Sequence, residues 1–207
     1  MKIVIFGASG SLGQHLVKQA LNQGHQVSAF ARDPSALKLQ HQDLTRIKGN
    51  ALKPIDVAAA VKGHDAVLIV LGTGPMGSIR AIGTKNIVDA MQYCGIRRLV
   101  CLSTLGTGDS GALLNFFWKH IMFGMLLRKV FADHQAQEKI VNESDLDWTI
   151  VRPAAFTDGP ATGTYEHGSS LAGKKLKLKI SRADIASFMV QQLSSDSYVH
   201  QSPGLSY

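Results

Sequence analysis

The first thirteen residues constrain the fold more than any other stretch of the chain. Residues 1–6 form an apolar run rich in β-branched side chains, and residues 7–13 follow as a Gly-x-x-Gly-x-x-Gly turn. Residues 14–21 then show helical periodicity. A strand, a glycine turn and a helix in this order form the context in which a dinucleotide pyrophosphate is bound at a helix N-terminus. We therefore predict that Gly7 shapes the turn, Gly10 leaves room for the pyrophosphate and Gly13 lets the helix pack against the sheet.

The rest of the chain repeats an alternation of strand and helix. Apolar runs predict strands at residues 26–31, 44–48, 66–71, 97–102 and 147–151, and helical patterns fall at 54–61, 79–94 and 132–141. A late strand at 175–180, a last helix opening at 181–184 and a polar surface tail from Ser194 complete the prediction. This order predicts one α/β domain over residues 1–207, a Rossmann-like, doubly wound parallel sheet with helices on both faces.

Charge and cysteine content limit the classes of partner. The net charge of +7 fits an anionic cofactor or substrate. The sequence has no dense Lys/Arg cluster with interleaved aromatic residues, so we do not expect it to bind nucleic acid. Cys94 and Cys101 have no metal-ligand spacing and cannot form a disulfide framework, so we expect no metal site. Because the chain begins with a structural strand, we expect no signal peptide and a cytoplasmic protein, either a monomer or a homodimer.

The end of the second predicted strand bears on cofactor choice. Arg32 stands where a Rossmann domain meets the adenosine ribose, and its planar cation suits a 2′-phosphate. Asp33 is predicted instead to cap the short helix begun by Pro34. NADP(H) is therefore favoured over NAD(H). At the third strand end Asn50 is a candidate for contact with the adenine, and Gly72 and Thr73 follow the fourth strand as a second glycine loop.

The ends of the fifth and sixth predicted strands contain candidate catalytic and pocket residues. Ser103 and Thr104 end the fifth strand, where open α/β sheets place catalytic groups, and the loop at 152–160, Pro153 included, is expected to border the pocket. Residues 112–131 approach the length of a membrane span, but five polar or charged side chains interrupt them: Asn115, Lys119, His120, Arg128 and Lys129. We expect this segment to cover an apolar substrate or form a subunit contact, rather than to insert stably in a membrane.

Several motifs together resemble the atypical short-chain dehydrogenase/reductases, which have a Rossmann fold. They are the glycine turn at 7–13, Arg32-Asp33, Leu71-Gly72-Thr73, the Asp-His-x-x-x-Glu run at 133–138 and residues 146–153. Within that group the chain is most similar to biliverdin reductases and NADPH-dependent flavin reductases. The resemblance implies cofactor contacts from Gly7, Ser9, Gly10, Ser11, Leu12, Arg32, Asn50, Ala51, Leu71, Gly72 and Thr73. It also implies a nicotinamide contact from Thr104 or Ser103 and a place for His134 beside the cofactor, while Ala155 replaces one substrate-pocket histidine of the biliverdin reductases.

The absence of one sequence motif limits the class of reaction that the protein can catalyse. No tyrosine is followed four residues later by lysine, so the Tyr-x-x-x-Lys pair that interconverts alcohols and ketones is missing. Hydride transfer from NADPH to a flavin, quinone or bilin-like acceptor does not need that pair. Ser103 and Thr104 would position the reactants, and Phe116, Phe117 and Phe156 are candidate stacking surfaces. An NADP-binding redox sensor of the NmrA-like kind and a sugar-nucleotide epimerase remain as alternatives.

Overall fold

The secondary structure follows the predicted alternation closely. The computed structural model describes residues 1–72, 79–108, 110, 128–169, 171 and 173–207. The strands are β1 (Lys2–Phe6), β2 (Gln26–Ala31), β3 (Leu44–Lys48), β4 (Ala66–Ile69), β5 (Arg98–Leu102), β6 (Asp147–Pro153), β7 (Ala155–Thr157), β8 (Glu166–Gly168), β9 (Lys179–Ser181) and β10 (Gly204–Ser206). The helices are α1 (Ser11–Asn22), α2 (Pro54–Val61), α3 (Ile79–Cys94), α4 (Arg128–Asn142) and α5 (Arg182–Gln191).

Eight of these strands form one sheet in the order β3-β2-β1-β4-β5-β6-β10-β8. Every neighbouring pair from β3 to β10 is parallel, and only β8 runs antiparallel, to β10. The chain therefore moves outward from β1 to β3, returns to β4 and moves outward on the other side. This reversal between β1 and β4 is the topological switch point at which such sheets bind ligands. The predicted Rossmann-like α/β fold is confirmed.

Alternate side chains of the central strand pack on opposite faces of the sheet. Ile3 and Ile5 join a core with α1 and α5, whereas Val4 and Phe6 join a second core with α2, α3 and α4. All four are fully buried, and burial of each stabilises the fold by about 1.5–3 kcal/mol. Because both faces of β1 are covered, its carboxyl end is left as the open edge where a ligand can approach.

The tail from Ser194 is predicted to lie at the surface, and for its last residues this prediction is wrong. The structure places residues 204–206 in β10, between β6 and β8, and Leu205 and Ser206 are fully buried. The sequence Gly-Leu-Ser has no apolar alternation from which a strand of three residues could be recognised. A Cβ on Gly204 would lie 2.9 Å from Leu171 Cδ1, so a larger residue there would require the Leu171 side chain to shift.

Several boundaries also differ from the predictions. Helix α1 begins at Ser11 rather than at residue 14, β4 ends at Ile69 rather than at residue 71, and β6 and β7 extend into the predicted loop at 152–160. The late strand is only Lys179–Ser181, since Leu178 has a φ of 51° that interrupts extended backbone before it. Helix α4 is described from Arg128, four residues before the predicted start. Phe116, Phe117 and most of the 112–131 segment lie outside the described residues, so the predicted covering or contact role stays a prediction. Within the described part of the chain, no helix is both long and apolar enough to cross a membrane.

Candidate functional site

A cleft of about 370 Å³ opens at the carboxyl ends of β1, β2, β4 and β5. Most of the predicted cofactor residues line this one cleft: Gly7, Ser9, Gly10, Ser11, Leu12, Gly13, Arg32, Asn50, Ala51, Leu71 and Gly72. Thr73 lies outside the described residues, and the lining formed by described residues does not include Pro153, the last residue of β6. The structure thus brings the predicted residues together, while their contacts with a cofactor stay a prediction.

The glycine turn forms a cradle that side chains would fill. Gly7 has a φ of 90°, and a Cβ on it would lie 2.5 Å from the Val70 carbonyl oxygen. A Cβ on Gly13 would lie 2.2 Å from the Gly7 carbonyl oxygen. Both distances are far below van der Waals contact, so these two positions require glycine. The cradle brings the chain close enough for backbone N–H groups to meet a ligand.

The N-terminus of α1 carries the electrostatics expected of an anion site. Its N-cap, Gly10, has no side-chain capping bond, and no acidic residue lies in the first turn. The first-turn N–H groups therefore lack intrahelical partners, and the positive end of the helix dipole is not neutralised. A dinucleotide pyrophosphate fits this cradle in charge and in donor set.

Directly after β2, Arg32 is solvent-exposed and lines the cleft. Its neighbour Asp33 caps a short 3₁₀ helix, Pro34–Ala36, by accepting a hydrogen bond of 3.0 Å from the Ser35 N–H. Hydrogen bonds from Ser35 lower the pKa of Asp33. The capping role predicted for Asp33 is confirmed, which leaves Arg32 as the charged side chain of this strand end in the cleft.

The lining at the third strand end is held by local hydrogen bonds. Asn50 Oδ1 accepts from the Leu52 N–H at 3.0 Å, and the Asn50 N–H donates to Asp56 Oδ2 at 2.9 Å. Gly49 packs against Phe30, since a Cβ there would lie 2.5 Å from the ring. The two N–H groups of the Asn50 side-chain amide make no hydrogen bond to any described residue, so they can donate to a ligand.

Ser103 and Thr104 follow Leu102, the β5 residue that lines the cleft. Neither belongs to the described lining, and Ser103 is 1% exposed. The Ser103 N–H donates to the Val151 carbonyl oxygen at 2.7 Å, while its Oγ is buried with no partner among the described residues. Ser103 is thus fixed by its backbone and keeps an unused hydroxyl group next to the cleft.

One face of α4 is polar although it is buried. Asp133 accepts hydrogen bonds from the N–H groups of Arg80 and Ala81, at 3.2 and 3.0 Å, and so caps the start of α3. One turn later, Gln137 Nε2 donates to Thr84 Oγ1 at 3.1 Å. These hydrogen bonds between α3 and α4 fix the rotation of α3 relative to α4.

His134 lies on the same buried face and is 6% exposed. Burial lowers the pKa of His134 to about 3, the Arg80 cation adds to this shift, and the Gln137 side chain partly opposes it. The imidazole is therefore neutral at physiological pH. Its Nδ1 has no hydrogen-bond partner among the described residues, and the ring itself is not in the cleft lining that they form.

A buried ion pair connects α4 to β6. Arg152 Nε and Nη2 donate to the two carboxylate oxygens of Glu138 at 3.0 and 2.9 Å. The Thr107 Oγ1 lies 2.6 Å from Glu138 Oε1 and 2.8 Å from the Thr104 carbonyl oxygen, and its single proton serves one of them at a time. This network anchors the loop that follows Ser103 and Thr104.

The rim of the cleft contains a contact that the sequence did not indicate. Arg182, at the start of α5, donates from Nε to Ser11 Oγ at 3.1 Å and from Nη1 to Asp158 Oδ1 at 2.7 Å. Its guanidinium also lies 5.6 Å from the centre of the Phe156 ring, which lines the cleft. Arg182 thereby joins the glycine turn to the loop after β7.

Sequence reasoning missed several residues of the lining. The strand-end rule, applied more widely, could have found those at or beside strand ends: Phe30, Gly49, Val70 and Leu102. Arg80 had no such signal, because its position depends on how α3 is rotated. The described residues contain no cluster of three or more side chains suited to hold a metal ion.

Comparisons with known proteins agree with this geometry. A family model described as NAD(P)H-binding matches residues 7–196. The UPF0659 protein YMR090W of Saccharomyces cerevisiae is 28% identical over 211 residues, which cover 93% of this chain and 87% of the yeast protein. The structure of ChuY from Escherichia coli O157:H7, described as an anaerobilin reductase, is similar with a TM-score of 0.81 at 26% identity, covering 99% of this chain and 96% of ChuY. A short-chain dehydrogenase/reductase from Veillonella parvula, solved with NADP, has a TM-score of 0.82 at 19% identity, and the match covers 100% of this chain and 94% of the Veillonella chain. At this identity the likeness shows the fold alone.

Proposed function

Since the chain belongs to the NAD(P)H-binding family of Rossmann-fold, atypical short-chain dehydrogenase/reductases, we propose that it is an NADPH-dependent reductase of a flavin, quinone or bilin-like acceptor. The observation that carries this proposal is the continuous cleft from Arg32, past the glycine cradle, to Leu102 at the end of β5. A dinucleotide laid along it would have its phosphates at the helix N-terminus and its nicotinamide on the β5 side.

The preference for NADPH rests on the adenosine end. Arg32 is exposed at the cleft and provides a planar, permanently charged donor, whereas Asp33 is engaged in capping. A ribose 2′-phosphate would therefore meet a cation here, whereas Asp33 accepts from Ser35 and is not among the described residues that line the cleft. NADPH is expected to bind more tightly than NADH.

The protein's part in the reaction is to bind and orient the reactants. Bound NADPH would supply the hydride. The glycine cradle would hold the phosphates, and the Ser103 hydroxyl, with Thr104 beside it, would position the nicotinamide amide and the acceptor. Because the Tyr-x-x-x-Lys pair is missing and the imidazole of His134 is neutral, the acceptor would take its proton from water.

The acceptor class follows from the same reasoning. Flavins, quinones and bilins are electrophilic and planar, so stacking on the nicotinamide is sufficient to align them for hydride transfer. The similarity to an anaerobilin reductase supports a bilin-like acceptor, and Phe156 at the cleft supports a planar aromatic one.

The test is oxidation of NADPH, followed at 340 nm, with FMN, riboflavin, a simple quinone and biliverdin added in turn. Protein fluorescence quenching in the same samples measures NADPH binding independently of turnover. Oxidation stimulated by one acceptor class, and faster with NADPH than with NADH, is the expected result. Tight NADPH binding without turnover on any acceptor would contradict the reductase and favour a redox sensor of the NmrA-like kind.

A further inference from the structure

Arg80 is a buried cation in the wall of the cleft that the reaction described above does not use. It lies in the first turn of α3, its side chain is 13% exposed, and it contributes to the lining together with Ile79 and Leu102. Arginine is almost never buried unless it is paired. The site therefore calls for an anionic group near this guanidinium.

The described protein supplies only part of that pairing. Arg80 Nη1 lies 3.8 Å from Asp133 Oδ2, which is an ion pair but too long for a hydrogen bond. The Asp133 carboxylate is already used by the backbone N–H groups at the start of α3. Nε and Nη1 of Arg80 are both buried without a hydrogen-bond partner among the described residues.

Arg80 is not alone in having unused polar atoms. His134 Nδ1 and Ser103 Oγ are also buried and have no partner within the described residues, and those two side chains are 6% and 1% exposed at the residue level. Native proteins rarely leave such groups unsatisfied, so the unpartnered Nε and Nη1 of Arg80, a residue that lines the cleft, point to a missing polar ligand.

The position of Arg80 separates it from the cofactor phosphates. Its guanidinium is directed toward α4, where Asp133 Oδ2 lies 3.8 Å from Nη1, and it lines the cleft together with Leu102 at the end of β5. The phosphates already have the glycine cradle and α1 N-terminus near β1. On the β5 side a bound dinucleotide would present a neutral carboxamide, so the anion that Arg80 fits belongs to the second substrate.

We propose that Arg80 binds an oxyanion of the acceptor, a carboxylate or a phosphate, and so makes the protein selective for anionic planar acceptors; this rests on the proposed reductase function. A guanidinium matches both oxyanions through several N–H donors at once.

The test compares matched acceptors at equilibrium, without turnover. Wild-type protein saturated with NADP⁺ is titrated with FMN against riboflavin, and with biliverdin against biliverdin dimethyl ester, by flavin fluorescence and bilin absorbance. The two pairs distinguish a phosphate source of the oxyanion from a carboxylate source. The variants are Arg80→Met, which removes the charge, and Arg80→Lys, which keeps it. Lys85→Met is the control, since Lys85 is an exposed cation on the same helix, paired with Asp89.

We expect wild-type protein to bind at least one anionic acceptor more tightly than its neutral partner. Arg80→Met should weaken that acceptor by about tenfold to a hundredfold, as for loss of hydrogen bonds to a charged group, and leave the neutral partner and NADPH unchanged. Arg80→Lys should restore part of the preference, and Lys85→Met should match wild type.

Three outcomes would overturn the inference: no binding of either anionic acceptor, equal weakening of charged and neutral acceptors, or weakened NADPH binding in Arg80→Met. Failure of the reductase itself is a different result. It would show as Arg80-dependent binding of an anionic acceptor without NADPH oxidation. If anionic acceptors are reduced and Arg80→Met leaves that turnover unchanged, only the role of Arg80 is overturned.

Discussion

Replacing Glu138 by glutamine should destabilise the whole domain, although the change is nearly isosteric. Both side chains of the Glu138–Arg152 pair are 6% exposed, and two hydrogen bonds of 3.0 and 2.9 Å join them. The glutamine would leave the Arg152 guanidinium buried beside a neutral group. Removing the charge of one partner of a buried ion pair typically costs about 3–5 kcal/mol.

For a chain of this size that loss corresponds to a fall in Tm of roughly 6–20 °C. The free energy of unfolding would be measured by urea titration, with the Tm taken from calorimetry. Glu143→Gln is the matched control, because Glu143 lies just after α4 in an exposed pair with Lys139 at 3.8 Å and should change stability by less than about 0.5 kcal/mol. A loss below about 1 kcal/mol for Glu138→Gln would refute the view that this pair holds α4 to the sheet.

Two further predictions concern the cofactor and the pH response. Arg32→Ala should weaken NADPH binding by about tenfold or more, as expected for loss of a cation at a phosphate, and leave NADH unchanged in fluorescence titrations; equal weakening of both would remove the 2′-phosphate assignment. His134 has a folded-state pKa of about 3, below that of the unfolded chain, so the unfolded state binds more protons and stability falls as the pH falls from about 6.5 towards 3. His134→Gln should therefore lose about 2 kcal/mol less stability than wild type between pH 7 and pH 5, measured by urea titration at both values, and an equal loss would show that His134 is not held neutral.

The sequence predicts well which residues line the cleft near β1, β2 and β4, because its signals are local. The glycine turn specifies its own geometry, and parallel strands bring their carboxyl ends to one edge whatever lies between them. Arg32 and Asn50 could be placed by counting from a strand end, without knowledge of any distant contact. The short strand β10 escaped prediction for the opposite reason, since its burial is imposed by β6 and β8 and leaves no periodic pattern.

The acceptor half depends on contacts between residues far apart in the chain, and Arg80 shows why that matters. Ile79, Arg80 and Ile82 lie within about one turn of a helix, and the sequence pattern alone would turn the arginine outward and an isoleucine inward. The structure leaves Ile82 51% exposed and buries Arg80. The cause lies 53 residues further along the chain, where Asp133 accepts the N–H groups of Arg80 and Ala81 and so fixes the start of α3. An aspartate that both caps the helix and stands 3.8 Å from the guanidinium lowers the cost of burying the charge, yet Nε and Nη1 of Arg80 keep no hydrogen-bond partner among the described residues. Because buried donors without partners cost stability, we infer that a ligand explains this side chain better than the stability of the fold does.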